Sequence, residues 1–419
     1  MALTPRIEAD VFSALQQEVA RLAALSQVRS AFAWFLSREP QLADWQQQLA
    51  KIPAPPFGEK LRSEWMLERF LELRLENVHT DEAGNVFGIR SGNSGRLIAL
   101  SAHIDTVFPA GTPLNIRQQG SRLYGPGVSD NGAGVAALLA IAAAVSESRI
   151  KHTAPLLFVA NVGEEGEGDL RGMRQIFSDR HWLDSIACTL VLDGAGNDTI
   201  VAEALGSRRF EVIVRGPGGH SWSDFGAPNP IVVLARAIDS FRQTPLPVSP
   251  KTTFNIGVIR GGTSVNSIPE SASMRVDIRS TSTAEIERLE RALRLALDLA
   301  IEDESKATGL KHSGQRRPLG LSSEVVIIGN RPGGELPTDA RILHAIRAVD
   351  AHLGNVAQIQ RASTDANIPL SMGREAIAIG GGGTGGGAHT LQEWFDCTGR
   401  DLGLKRILLT LLALTGVSE

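Results

Sequence analysis

Apolar positions along this chain change their period twice. From Val11 through Leu15, Val19 and Leu22 they recur every three or four residues, which predicts an amphipathic helix running towards Trp34 until Pro40 interrupts it. A second helical segment is expected over 44–50, IPAPPFG reads as a proline-fixed turn, and an amphipathic stretch over 59–75 follows before a turn into a strand. Past residue 96 the apolar residues form short, nearly continuous runs, over 97–102, 155–162, 189–192 and 375–379. Runs this uniform do not suit a half-exposed sheet and predict central strands covered on both faces. The alanine-rich stretch over 132–145 reads as a buried helix. From about Ser207 the period drops to two, as in RFEVIVR, and a helix over 230–241, strands over 252–260 and 272–279, a long helix from Thr283 and a strand near 324–328 complete the pattern. Two helices over one antiparallel sheet are predicted there.

The expected fold class is therefore α/β, with a mixed, largely parallel sheet flanked by helices and an inserted α+β two-layer domain. The boundaries read as 1–206 for the first part of the main domain, with a helical segment over 1–50, then 207–330 for the insertion and 331–419 for the rest. A length of 419 residues exceeds one ordinary core and agrees with two modules. A formal charge of -4 supplies no attraction for nucleic acid or anionic membrane, which favours a small-molecule or peptide substrate. The N-terminus lacks the basic start and apolar stretch of a secretion signal, and no apolar run reaches the roughly 20 residues of a bilayer span. Cys188 and Cys397 are the only cysteines and match no thiolate metal site, so a cytoplasmic location is expected.

Candidate chemistry clusters where the apolar runs end. His103 and Asp105 stand in SAHIDT, Asp130 in GVSDNGAG, Glu164 and Glu165 in VGEEGEG, Asp193 in VLDGAG, and His389 in GGGAHT. Parallel strands open their carboxyl ends on one edge, so ligands remote in sequence can converge there. Five ligands crowd a single catalytic zinc, which usually takes three protein ligands and a water. Two ions solve the count: with Asp130 bridging, His103 and Asp193 complete one site, and Glu165 and His389 the other. Three carboxylates and a hydroxide nearly balance two divalent cations. Glu164 is then placed to act as general base, and Asp105 to orient the His103 imidazole through its other nitrogen. Nitrogen and oxygen ligands suit zinc and also admit cobalt or manganese. Taken singly, each motif has an ordinary explanation as a polar strand end, acidic loop, helix cap or turn. GGGGTGGG lacks the ending of a phosphate loop, and its glycines are expected to bring backbone close to substrate near His389.

The ordered set IPAPPFGE, SAHIDTVFP, GVSDNGAG, VGEEGEGDLRG, VLDG, GGHSWSDFGAPNP, GGTSVNSIPESASMRVDIRS, STDANIP and GGGGTGGGAHT resembles the co-catalytic di-zinc peptidase and deacylase family. That family includes peptidase T, carnosinase-like dipeptidases, glutamate carboxypeptidase and acetylornithine deacetylase. The likeness spans nearly the whole chain from about Ile52. It implies a zinc-exopeptidase fold, two zinc ions on His103, Asp130, Glu165, Asp193 and His389, and catalytic roles for Glu164 and Asp105. It adds His220, implied to reach a neighbouring subunit's site, and Asn266 and Arg279 as substrate-binding groups. The inserted domain would be a lid that pairs subunits into a homodimer. Aspartate at position 193 resembles the aminopeptidases and dipeptidases of the family, closest to the peptidase T branch, which implies cleavage of short peptides. The alternative is an N-acyl-amino-acid deacylase or carboxypeptidase. A noncatalytic metal-binding protein fits the intact ligand and base set poorly.

Overall fold

A computed structural model describes residues 5–309 and 320–417. The chain divides into two compact units, one formed by Met1–Ala204 with Gly334–Glu419 and the other by Leu205–Gly333.

The first unit is built on a nine-stranded sheet. Its centre consists of four parallel strands in the order Leu156–Asn161, Leu97–His103, Ile186–Leu192 and Glu375–Ile379. Antiparallel strands extend both edges, so the sheet is mixed with a parallel middle. Every residue of Leu156–Asn161 is buried, and the other three central strands are buried over nearly their whole length. That burial explains the nearly apolar runs, in which Ser101, Asn161 and Thr189 are buried exceptions: these strands have no solvent face on which to place charged residues. Their carboxyl ends deliver His103, Val162 to Glu165, Asp193 and the glycine tract to one edge of the sheet.

The helix Gly132–Glu147 is buried from Gly132 to Val145 and packs between the sheet and other helices. Three N-terminal helices, α1 (Pro5–Ala24), α2 (Ser26–Ser37) and α3 (Glu39–Ala50), lie over this layer. Val19 and Leu22 of the predicted stripe are buried and Leu15 packs against the same core, while the side chain of Val11 lies outside the described residues. The expected break at Pro40 is corrected. The chain turns at Leu25 and again at Arg38, and Pro40 sits in the first turn of α3, where a missing N–H costs nothing and its fixed φ suits the helix. No described helix is long and apolar enough to cross a membrane.

The second unit is a four-stranded antiparallel sheet in the order Thr252–Gly261, Ser271–Ser280, Gly206–Arg215 and Ser322–Arg331. Phe210, Val212 and Val214 alternate with Met274, Val276 and Ile278 to bury one face beneath helices Pro230–Arg242 and Thr283–Gly309. Charged Glu211, Arg275 and Asp277 occupy the intervening positions, so the period of two in the sequence is the two-faced character of this sheet.

Candidate metal centre

Four segments and one hairpin assemble the site at the open edge of the parallel strands. His103 is the last residue of its strand, and Asp193 follows Leu192 at the end of the adjacent one. Asp130 lies just before the long buried helix, joined to Asn131 by a cis peptide. Glu164 and Glu165 follow the Leu156–Asn161 strand. His389 stands on the tip of a hairpin formed by Thr384–Gly386 and Trp394–Asp396, with φ of 66°. A non-glycine residue in that region is strained, as is common where a side chain must be aimed at a site.

The donor atoms fall into two triplets that share Asp130. His103, Asp130 and Asp193 form one, and Asp130, Glu165 and His389 the other, each with one ligand atom per residue within 4.8 Å of the rest. His103 Nε2 faces Asp130 Oδ1 at 3.3 Å and Asp193 Oδ1 at 3.8 Å. His389 Nε2 lies 3.1 Å from both Asp130 Oδ2 and Glu165 Oε1. Glu164 is buried and offers an oxygen within 4.8 Å of donors on His103 and Glu165.

Electrostatics show what the cluster lacks. Burial opposes charge on His103, yet the carboxylates of Asp105, Asp130 and Asp193 outweigh it and raise the imidazole well above its usual range. Contact with Asp130 pushes His389 up to about 9. Burial, then the charge of Asp130, pushes Glu165 up to about 7. The shifts of His103, His389 and Glu165 all favour added positive charge, while at Asp130 burial is outweighed by contact with the two imidazoles, which holds it well below the usual carboxylate range. Asp130 Oδ1 is buried without a hydrogen-bond partner although it faces His103 Nε2. With the imidazole proton on Nδ1 towards Asp105, a lone pair on Nε2 would meet two carboxylates, and a cation between them removes that conflict. Two imidazoles and three carboxylates are a donor set that suits a divalent metal pair.

Behind the donors, Asp105 is wholly buried and accepts the backbone N–H groups of Glu164 at 3.0 Å and Glu165 at 2.7 Å. Its Oδ1 also lies 3.5 Å from His103 Nδ1. Burial acts to raise the Asp105 carboxyl, but His103 and those two N–H groups hold it below its ordinary value. Arg62 donates to the carbonyls of Ile52 and Ile104 while fully buried, placing a fixed positive charge beneath this loop.

Two supporting residues escaped the reading of the sequence. Asn131 is buried; its Oδ1 accepts Gly194 N–H at 3.0 Å, and its Nδ2 donates to Leu192 O at 2.9 Å and His103 O at 3.3 Å. It thus binds the two strand ends that carry His103 and Asp193. Glu393, four residues after His389, takes three backbone N–H groups of the Asp130 loop. Adjacency to Asp130 and His389 was the only sequence signal for either. Glycines of the tract also pack tightly against protein atoms. A Cβ on Gly381 would come within 2.6 Å of Ala133 O, and one on Gly385 within 2.2 Å of Ser129 Oγ.

In the second unit, His220 pairs with Ser267, and Ser221 N–H donates to Asn266 O at 3.0 Å, so His220 and Asn266 stand side by side. His220 Nδ1 accepts from Trp222 N–H at 3.2 Å, which places its proton on Nε2. Arg279 lies near the other end of strand Ser271–Ser280, about 27 Å along it from Ser271 at 3.4 Å per residue, and pairs with Asp277 at 2.6 Å. Within this unit the structure brings His220 and Asn266 together and leaves Arg279 apart.

Residues 99–412 match the model of Peptidase family M20/M25/M40, a span that contains every residue of both triplets. The chain belongs to this family. Among solved structures, a tripeptidase from Staphylococcus aureus superposes with a TM-score of 0.71 at 22% identity, covering 90% of this chain and 99% of that one. The aminopeptidase PepT from Bacillus cereus gives 0.70 at 20% identity, covering 90% and 98%. At these identities the likeness establishes the fold. Among curated relatives, a probable carboxypeptidase of Ajellomyces capsulatus is 31% identical over 52% of this chain and 53% of its own length. The chain spans about half the length of the first curated relatives it matches.

Proposed function

We propose that the chain is a dinuclear zinc exopeptidase that removes the N-terminal residue of short peptides. The observation that carries this is the pair of donor triplets sharing Asp130, with an additional buried carboxylate, Glu164, against them. Two divalent ions held by His103, Asp130, Asp193, Glu165 and His389 would acidify a water and polarise the scissile carbonyl. Glu164 would serve as general base and acid, accepting a proton from the attacking water and passing it to the leaving nitrogen, and Asp105 holds the His103 imidazole with Nε2 turned towards Asp130 and Asp193. The Nε2–H of His220 is suited to the developing oxyanion in a partner subunit, with Asn266 and Arg279 binding substrate carbonyl or carboxylate. Pairing of subunits through the inserted unit, a cytoplasmic location and zinc rather than cobalt or manganese belong to the same proposal.

Aspartate at position 193 supports the aminopeptidase reading. A second reading rests on relatives named for other bonds: Carboxypeptidase G2 from Pseudomonas sp., 26% identical over 50% of this chain and 53% of its own length, and Succinyl-diaminopimelate desuccinylase from Burkholderia vietnamiensis, 25% identical over 61% and 73%. Chelator-treated protein reloaded with zinc, cobalt or manganese should be assayed on free-amine tripeptides and on N-acyl amino acids in parallel. Release of the N-terminal residue, abolished by chelation and lowered by about 100-fold or more in Glu164→Gln, is expected. Deacylation without tripeptide cleavage would establish the second reading, and equal turnover by Glu164→Gln would remove Glu164 from its role.

A further inference from the structure

We infer that Glu393 is a positioning residue that fixes the Asp130 loop to the His389 hairpin and so sets the spacing between the two donor triplets. The inference rests on the two-metal reading above and deepens it.

Glu393 has no exposed surface. Its Oε2 accepts Gly127 N–H at 2.8 Å, and its Oε1 accepts Ser129 N–H and Asp130 N–H, both at 2.7 Å. The hairpin that carries it also carries His389, and both lie between the paired strands Thr384–Gly386 and Trp394–Asp396. The backbone adds a further tie, from Gly125 N–H to Glu393 O at 2.9 Å. One side chain thus grips the backbone nitrogen of Asp130 from the element that presents His389, and Asp130 is the member common to both triplets. The contact spans 263 residues of sequence, so no local structure substitutes for it.

A carboxylate is an unfavourable group to bury for packing alone. It is desolvated, and it adds a negative charge beside Asp130 in a region already crowded with carboxylates. What a carboxylate offers, and an amide cannot, is acceptance on both oxygens from three converging N–H groups. The other face of the loop is held by a neutral group, Gln46 of α3, which donates to Val128 O and accepts from Arg400 at 2.6 Å. The charged clamp therefore stands on the side of the loop facing the His389 hairpin, and the buried Arg62 guanidinium offsets part of its charge.

The test compares the full chain, stripped with chelator, in wild-type and Glu393→Gln forms by cobalt(II) titration, read from visible absorption. Metal-free thermal unfolding and separate kcat and KM on a cleaved peptide accompany it. Wild type is expected to take up two cobalt ions. Glu393→Gln should bind them about 10- to 100-fold more weakly, as loss of a group supporting metal ligands does. Its kcat should fall with KM nearly unchanged, and added metal should restore part of the activity. Wild-type cobalt affinity in the variant would overturn the inference, as would a loss matched by an equal drop in metal-free stability. If Glu393→Gln does not fold, Glu393→Asp, which keeps the charge but shortens the reach, is judged by the same two outcomes. Failure of the wild type to take up two ions would instead sink the two-metal reading.

Discussion

Replacing Asp105 by asparagine changes one atom type without changing volume, so its effect isolates hydrogen-bond logic. Asp105 Oδ2 accepts Glu165 N–H at 2.7 Å, and Oδ1 accepts Glu164 N–H at 3.0 Å while lying 3.5 Å from His103 Nδ1. An asparagine keeps one acceptor oxygen. If that oxygen serves Glu165, the amide NH2 confronts Glu164 N–H and His103 Nδ1. The imidazole then avoids a clash of donors at Nδ1 only by moving its proton to Nε2, the atom that faces Asp130 and Asp193. If the oxygen serves Glu164 and His103, Glu165 N–H is left buried against a donor. A buried donor without an acceptor costs ~1–3 kcal/mol, and exchange of a charged acceptor for a neutral one adds ~1 kcal/mol. At ~1.4 kcal/mol per tenfold, even ~2 kcal/mol felt at the ligands weakens metal by more than tenfold, and the expected range is about 10- to 100-fold. Zinc or cobalt titration of chelator-treated Asp105→Asn, with kcat/KM at fixed free metal, measures this. Wild-type affinity and turnover together would refute the placement of Asp105 behind the imidazole; lower stability with unchanged metal affinity would show that it only braces the Glu164 loop.

Two further predictions concern stability. Arg406, 1% exposed, makes a bidentate pair with Asp350 at 2.6 and 2.8 Å, so Asp350→Ala leaves a buried guanidinium unpaired and should cost ~3–5 kcal/mol by denaturant unfolding while metal stoichiometry is retained; a loss under 1 kcal/mol would mean that Arg406 finds solvent or another partner. His152 is buried, its pKa is depressed by burial, and its Nδ1 lies 2.7 Å from Ala154 O, so it folds as a neutral donor. The unfolded state then binds more protons, so this contribution is fully present above the ordinary value of 6.5 and is lost as pH falls from there through the depressed folded value. Between pH 7.5 and 5.5 the metal-free wild type should lose more stability than His152→Gln does, and parallel slopes for the two would exclude His152 from the acid sensitivity.

The sequence by itself determined the parallel core and the edge at which the chemistry gathers. A strand covered on both faces is mostly apolar, with only small polar residues such as Ser101, Asn161 and Thr189 inside it, so the ionisable groups that follow each run, His103, Glu164, Glu165 and Asp193, marked its open end. The period of two in 206–215 and 271–280 likewise recorded a sheet with one buried face. Tertiary structure alone decided how those ends are held. Pro40 is chemically compatible with stopping a helix or starting one, and packing against the core made it a start. Glycines 381 and 385 could equally have lined a flexible linker, and only the neighbouring Ala133 and Ser129 show that a side chain has no room. Asn131 and Glu393 carry no periodicity, because their partners lie 28 to 266 residues away and are backbone groups, which every residue type offers alike. Pattern along a chain records which face is buried; which backbone meets a given polar side chain exists only once distant segments have packed.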